Sequence, residues 1–294
     1  MIDIIEAKDM CKIKMIAIDV DGTLLNSKKE STKKVKDTIL RAQSAGIKVV
    51  IATGRPLSGI KPLLNELKLA NQKDQYVICF GGGVVETTSE NILLEKTLTY
   101  DDYVDLEAIS LKLGLHFHAS APDRIYTANR DIGDYTLYEA NLVNLGISYR
   151  TPAEMKKIKI VKCMYVDEQE LLDHKIADHT PFAHLDNRIA FTKTAPFYYE
   201  ANPKGVSKGS ALRFLCQKLN LTSENLMAIG DEENDLSMIK YAGVGVAMGN
   251  AVPAVKQVAQ VITEDCDHDG VAKIIEKYIY IISDASVASL VFSV

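Results

Sequence analysis

Apolar residues fall along this chain in two rhythms. In the first third, short apolar runs alternate with segments whose apolar residues return every three or four positions. Ile13 to Asp19, Ile47 to Ala52 and Tyr76 to Phe80 are the short runs, with Lys14 and Lys48 near the starts of the first two. Runs this short and apolar predict strands buried on both faces. Between them, Val35, Ile39, Leu40 and Ala42 share one face of a predicted helix that Ser31 or Thr32 caps and Gly46 stops. A second predicted helix opens at Pro56 and carries Ile60, Leu63, Leu64 and Leu67. This alternation predicts an α/β fold built on a parallel sheet with helices on both faces.

From about Glu86 to Pro196 the rhythm changes. Period-two alternation shows at Leu115 to His118 and Ile158 to Val166, and helical runs at Asp101 to Leu113 and Asp131 to Leu145. The last third returns to α/β. Helices are predicted at Lys208 to Leu219, Asn234 to Ala242 and Val252 to Ala259, and strands at Leu226 to Gly230, Val244 to Ala247 and Val261 to Thr263. The chain is therefore expected to leave one parallel sheet, build an α+β domain over 86–196, and return. That gives a core of 1–85 plus 197–294.

Composition narrows the function classes. Of 294 residues, 47% are hydrophobic and 25% charged, and the formal net charge is −5. An acidic balance without a basic stripe argues against a nucleic-acid partner. Met1 to Met10 carries Asp3, Glu6 and Asp9, unlike the basic start and apolar core of a secretory signal. No run reaches the roughly 20 apolar residues of a membrane span. The nearest is Tyr278 to Val294, which Ser283, Asp284 and Ser286 interrupt. Cys11, Cys79, Cys163, Cys216 and Cys266 are scattered and form no C-x-x-C, so they read as reduced thiols of a cytoplasmic protein.

The candidate chemistry sits at the carboxyl ends of the predicted strands, where open α/β sheets bind ligands. Asp19 and Asp21 stand two residues apart after the first strand, with Gly22 to turn the chain. Two buried carboxylates call for a cation or a proton between them. Mg²⁺ suits such a pair, and aspartate is a known phosphoryl acceptor. Thr53-Gly54-Arg55 follows the second strand and offers a hydroxyl and backbone N–H groups to phosphate oxygens. Lys208 opens a helix, and Asp231, Asn234 and Asp235 follow another strand. Each cluster alone has an ordinary reading, as an acidic turn, a loop or a surface lysine. All four together, in this order and each at the predicted edge of one sheet, outweigh those ordinary readings.

This set resembles the haloacid-dehalogenase-like (HAD) superfamily, and within it the Cof-type, or type IIB, sugar-phosphate phosphatases. The motifs are Ile18-Asp19-Val20-Asp21-Gly22-Thr23-Leu24-Leu25, Ala52-Thr53-Gly54-Arg55-Pro56, Pro203-Lys204-Gly205-Val206-Ser207-Lys208-Gly209 and Ile229-Gly230-Asp231-Glu232-Glu233-Asn234-Asp235. The signature continues through Val246 to Ala251 and Asp269-Gly270-Val271. The resemblance implies a Rossmann-like HAD core with an inserted type IIB cap. It implies Asp19 as nucleophile, Asp21 as general acid/base, and Thr53, Gly54, Lys208 and Asn234 around the phosphate. Mg²⁺ would be held by Asp19, Asp231 and the backbone carbonyl of Asp21, with Asp235 and Arg55 in support. Lys204 is a rival for the lysine role. Tyr126 and Arg130 are the candidate cap contacts to substrate.

The implied function is a magnesium-dependent phosphatase acting on a small phosphorylated metabolite, a sugar phosphate by resemblance, in a monomer or homodimer. A phosphomutase or other phosphotransferase is the alternative. Phe80-Gly81-Gly82-Gly83 departs from the family's Asn-containing loop, which loosens inference about substrate. The tail after Tyr278 is longer than the family norm and is expected to pack on the core or fray, with an oligomer contact as the alternative.

Three further patterns are set aside. Asp265 to Glu276 fits a calcium-loop spacing, but a strand precedes it. Gly243-x-Gly245-x-x-x-Gly249 follows a helix, where a dinucleotide fingerprint needs a strand. His116 and His118 share one strand face without a third ligand, and are expected to be half-buried.

Overall fold

The computed structural model describes residues 13–278. Cys11 and the tail after Tyr278 lie outside these residues. The first strand, β1 (Met15–Ile18), is Met-Ile-Ala-Ile, buried throughout. It leads through the Asp19 loop to α1 (Lys33–Ser44), β2 (Lys48–Ala52), α2 (Leu57–Glu66) and β3 (Tyr76–Cys79). Thr32 caps α1, its Oγ1 accepting the Val35 N–H.

Two short strands follow, β4 (Val84–Thr87) and β5 (Ile92–Glu95). The inserted segment then contains α3 (Tyr100–Leu113), β6 (His116–Ser120), β7 (Arg124–Thr127), α4 (Asp134–Val143), β8 (Gly146–Tyr149), β9 (Lys162–Val166), α5 (Gln169–Ile176), β10 (Ile189–Ala195) and β11 (Tyr198–Pro203). The chain returns through α6 (Lys208–Lys218), β12 (Leu226–Gly230), α7 (Leu236–Tyr241), β13 (Val244–Ala247), α8 (Pro253–Val258) and β14 (Val261–Ile262).

The strands form two sheets. The larger runs β14-β13-β12-β1-β2-β3-β4-β5, parallel from β14 to β3 and antiparallel at its last two pairings. Its apolar strands and flanking helices bury one large core cluster. The smaller runs β10-β11-β9-β6-β7-β8 and is antiparallel except at β7–β8. The architecture is mixed α/β, a largely parallel core sheet with a second, mostly antiparallel sheet inserted as a cap. The crossings between sheets fall later than the sequence reading set them. Residue 86 lies inside β4, a core strand, and residue 196 lies in the β10–β11 turn of the cap sheet. The chain leaves the core after Glu95 and regains it after Pro203.

The cap sheet has two unlike faces. Register places Phe117, Cys163 and Tyr165 on one side, packed with Tyr199, Ala201 and the helices α3 and α5. The other side carries His118, Lys162, Met164, Tyr198 and Glu200 and meets α4. His118 is fully buried there, not half-buried as its alternation suggested, and its Nδ1 pairs with Thr136 Oγ1 at 3.1 Å.

The calcium-like turn has structural work. Asp267 accepts the Ser27 N–H at 2.9 Å, Asp269 accepts the Thr32 hydroxyl at 2.6 Å, and Glu276 pairs with Arg41 and Lys34. These carboxylates tie the start of α1 to the end of the core. Cys79, Cys163 and Cys216 are buried free thiols, and Cys266 is a partly buried one. Among the described residues, no helix is long and apolar enough to cross a membrane.

Candidate active site

β1 and β12 pair in parallel register, Ile18 beside Ile229, so the residues just past their ends lie side by side. That brings Asp19 and Asp231 to one place. The first element of α6 delivers Lys208 beneath them. Its Nζ donates to Asp19 Oδ1 at 2.5 Å and to Asp235 Oδ1 at 2.6 Å. Lys208 and Asp235 side chains are completely buried.

Asp235 has no oxygen left over. Its Oδ2 accepts the backbone N–H of Asp231 at 2.9 Å and of Glu232 at 3.1 Å. It therefore fixes the loop carrying Asp231 and the lysine that faces Asp19. Asp231 accepts the Thr23 hydroxyl at 2.6 Å and, more distantly, the Asn250 amide at 3.3 Å. The same Asn250 amide donates to the Gly22 carbonyl at 2.8 Å. Gly22 has φ +79°, and a Cβ there would stand 2.3 Å from Asp231 Oδ2. Only glycine satisfies both the turn and the approach.

The electrostatics follow from burial. Desolvation is the main influence on Asp19 and pushes it up to about 7, against the lowering effect of Lys208 and with the raising effect of Asp235. Desolvation likewise lifts Asp231 to about 6, against the Thr23 hydrogen bond. Burial works to lower Lys208, but Asp19 and Asp235 hold it above the usual lysine range. Asp19 and Asp231 are thus short of positive charge even with the Lys208 ammonium bonded to Asp19.

Ligand oxygens of Asp19, Asp231 and Asp235 lie within 4.8 Å of one another. Asp235 is occupied on both oxygens, so the donors that fit a cation are Asp19 and Asp231. An all-oxygen donor set of this kind suits a hard divalent ion.

Above this floor lies a cavity of about 440 Å³ between core and cap. Asp19, Asp21, Lys29, Thr53 and Arg55 line its core side, joined by the exposed Gly54 and Asn234. Asp21 does not join the buried carboxylates. It turns to Arg55, whose guanidinium meets both its oxygens at 2.7 and 2.8 Å, and to Lys29 at 3.1 Å. Thr53 is buried, with its backbone pinned to Ile78 and Gly81 and its Oγ1 accepting the Arg55 N–H.

The sequence-predicted residues do not all converge. Lys204 is exposed and bonds the Asp186 carbonyl, away from the cavity. Tyr126 pairs with Ala119 on the cap face that packs Phe117 and Tyr165, so alternation points it away from the cavity. Arg130 is exposed in the loop after β7 and does not line the cavity either. The cap side is instead formed by Tyr138, Glu139, Lys162, Thr194, Tyr198 and Glu200. Sequence reasoning missed these, as well as Thr23 and Asn250, although both of the latter stand in the quoted motifs.

The glycine run after β3 also lies outside the cavity lining. Gly82 has φ +113°, and a Cβ there would come 2.2 Å from the Ser207 carbonyl oxygen. The run lets the strand end pack on the start of α6, and so helps to seat Lys208.

A capped α/β core with carboxylates and a lysine at the strand ends is the architecture of a phosphoryl-transfer hydrolase. The chain matches the haloacid dehalogenase-like hydrolase family over residues 16–275, and it belongs to that family. It is 45% identical over 269 residues to a Streptococcus pyogenes serotype M6 protein provisionally named a phosphatase, covering 91% of this chain and 98% of that one. It is 31% identical over 268 residues to the 5-amino-6-(5-phospho-D-ribitylamino)uracil phosphatase YcsE of Bacillus subtilis, covering 91% and 96%. A solved haloacid dehalogenase-like hydrolase from Bacteroides thetaiotaomicron superposes with TM-score 0.80 at 35% identity, covering 90% of this chain and 99% of that one. The protein is a phosphatase enzyme of the HAD class.

Proposed function

We propose that the enzyme hydrolyses phosphate monoesters of small sugar-like metabolites, with Mg²⁺, through an aspartyl-phosphate on Asp19. The observation that carries this reading is the buried Lys208, bridging Asp19 and Asp235 beside Asp231 at the cavity floor. An ammonium so placed keeps one Asp19 oxygen fixed and leaves the other to face substrate. Asp19 and Asp231, with the Asp21 backbone carbonyl, would hold Mg²⁺. The ion, when bound, neutralises charge on the transferring phosphoryl group.

In the first step, Asp19 attacks phosphorus and the ester P–O bond breaks. Asp21 gives the leaving oxygen its proton. In the second step, Asp21 takes a proton from water, whose oxygen attacks the same phosphorus, and phosphate departs with Asp19 restored. Thr53, the Gly54 N–H, Lys208 and Asn234 surround the phosphate, and Asp235 supports Lys208. Arg55 holds Asp21 in salt bridge until the substrate phosphate competes for the guanidinium. The cap, from about residue 96 to 203, excludes bulk water and chooses the leaving group.

The named activity of YcsE is on a phosphorylated ribityl compound, which is compatible with a polyol ester here. Free thiols fit a reducing compartment, and the proposed location is the cytoplasm. The test is phosphate release from a panel of phosphorylated metabolites, with Mg²⁺ and with chelator. Release that needs Mg²⁺ supports the reading. Isomerised product without free phosphate transfers it to a phosphomutase.

A further inference from the structure

The cap face over the site carries a buried charge that the chemistry above does not use. Lys162, on β9, is 6% exposed and lines the cavity. Its Nζ lies 2.9 Å from Glu200 Oε1 and 3.8 Å from Glu139 Oε1. Glu200 is itself held, by the Thr194 hydroxyl at 3.1 Å and the Asn202 amide at 3.3 Å. The three come from β9, β11 and α4, and meet only because the cap sheet folds as it does.

Packing does not explain this trio. The main apolar cluster of the cap lies on the opposite face of the sheet. Buried ion pairs of this kind are often matched or exceeded in stability by apolar residues of similar volume. Buried charge on a cavity wall is instead a mark of ligand recognition.

We propose that Lys162, set between Glu200 and Glu139, is a specificity-determining residue that reads hydroxyl groups of the leaving group and disfavours a second anionic group there. The proposal rests on the phosphatase reading of the same cavity. Lysine only donates hydrogen bonds and ionised carboxylates only accept them, whereas a hydroxyl does both. A hydroxyl accepting from Lys162 and donating to a glutamate satisfies both partners at once. A leaving group without it would leave desolvated charges unpaired, which is how polar sites reject deoxy analogues. The trio carries two negative charges and one positive, so a second phosphate at the cap end meets net repulsion.

The test compares kcat/KM for a hexose monophosphate, its deoxy analogues, the matching bisphosphate and p-nitrophenyl phosphate. Wild-type enzyme should prefer the hexose monophosphate to a deoxy analogue and to the bisphosphate by about 10²-fold or more. Lys162→Met and Glu200→Gln should erase most of that preference, chiefly through KM, while p-nitrophenyl phosphate hydrolysis stays within about threefold. Lys162→Arg should restore part of the preference. Equal loss on both ester types, or unchanged discrimination in both variants, would overturn the proposal. Lack of Mg²⁺-dependent hydrolysis of every ester by the wild type would instead count against the parent reading. If Lys162→Met fails to fold, the isosteric Glu200→Gln decides.

Discussion

Arg55 and Asp21 form a two-pronged salt bridge, with one guanidinium nitrogen 2.7 and 2.8 Å from the two carboxylate oxygens. The bridge separates Asp21 from the buried carboxylates two residues away and turns it toward the cavity. It also makes Arg55 a positioning residue for the proposed proton transfer. Arg55→Met should lower kcat by roughly 10-fold to 10²-fold, a part of what general acid–base catalysis supplies. A loss of kcat with the thermal unfolding midpoint unchanged distinguishes it from a residue that only packs.

Asp235 is predicted to matter for stability as much as for activity. Asp235→Ala removes the three hydrogen bonds that one buried carboxylate accepts, from Lys208, Asp231 and Glu232, and leaves a cavity in their place. Breaking one side of a buried charge network costs about 3 kcal/mol or more. Urea denaturation of the variant should show an unfolding free energy lower by that amount, with Lys208 still anchored to Asp19.

Gly22→Ala tests the close approach to Asp231. The added Cβ cannot fit without moving the Asp231 carboxylate, and the backbone is in the left-handed region. Stability should drop by about 1–2 kcal/mol from the backbone alone. Mg²⁺ affinity, read by calorimetry, should fall as well, because a proposed ligand is displaced.

The titration of Asp19 and Asp231 gives opposite pH trends for metal binding and for folding. A cation takes only ionised carboxylates, so protons compete with it. Mg²⁺ affinity should be flat above about 7 and fall as pH drops through 7 and then 6, the values burial sets for these groups. In chelator the folded state holds both protons more tightly than the unfolded chain, whose aspartates titrate near 3.8. That contribution to stability is complete below about 4 and is lost as pH rises toward 7. Thermal unfolding with chelator and with Mg²⁺ across this range checks both signs.

Much of the core was legible because its information is local. Continuous runs such as Met15–Ile18 declare buried strands, and parallel pairing puts every strand end on one edge, so Asp19, Thr53 and Asp231 could be grouped from order alone. β4 and β5 were not legible. They are four residues each, follow a glycine-rich turn, and β5 is only partly buried. The cap side was harder still. Lys162, Glu139 and Glu200 are far apart in sequence and reach one cavity through antiparallel register. Tyr126 shows the converse, since one step of alternation puts a plausible aromatic on the wrong face.

The central claim is that Asp19 carries the phosphoryl group. The most direct measurement is acid-quenched mass spectrometry of the Asp19-containing peptide, taken during turnover of a hydrolysed ester with Mg²⁺. The account predicts phosphate on Asp19 in the wild type, and neither phosphopeptide nor turnover in a folded Asp19→Asn variant. Turnover in that variant near the wild-type rate, with no phosphate ever found on the peptide, would contradict it.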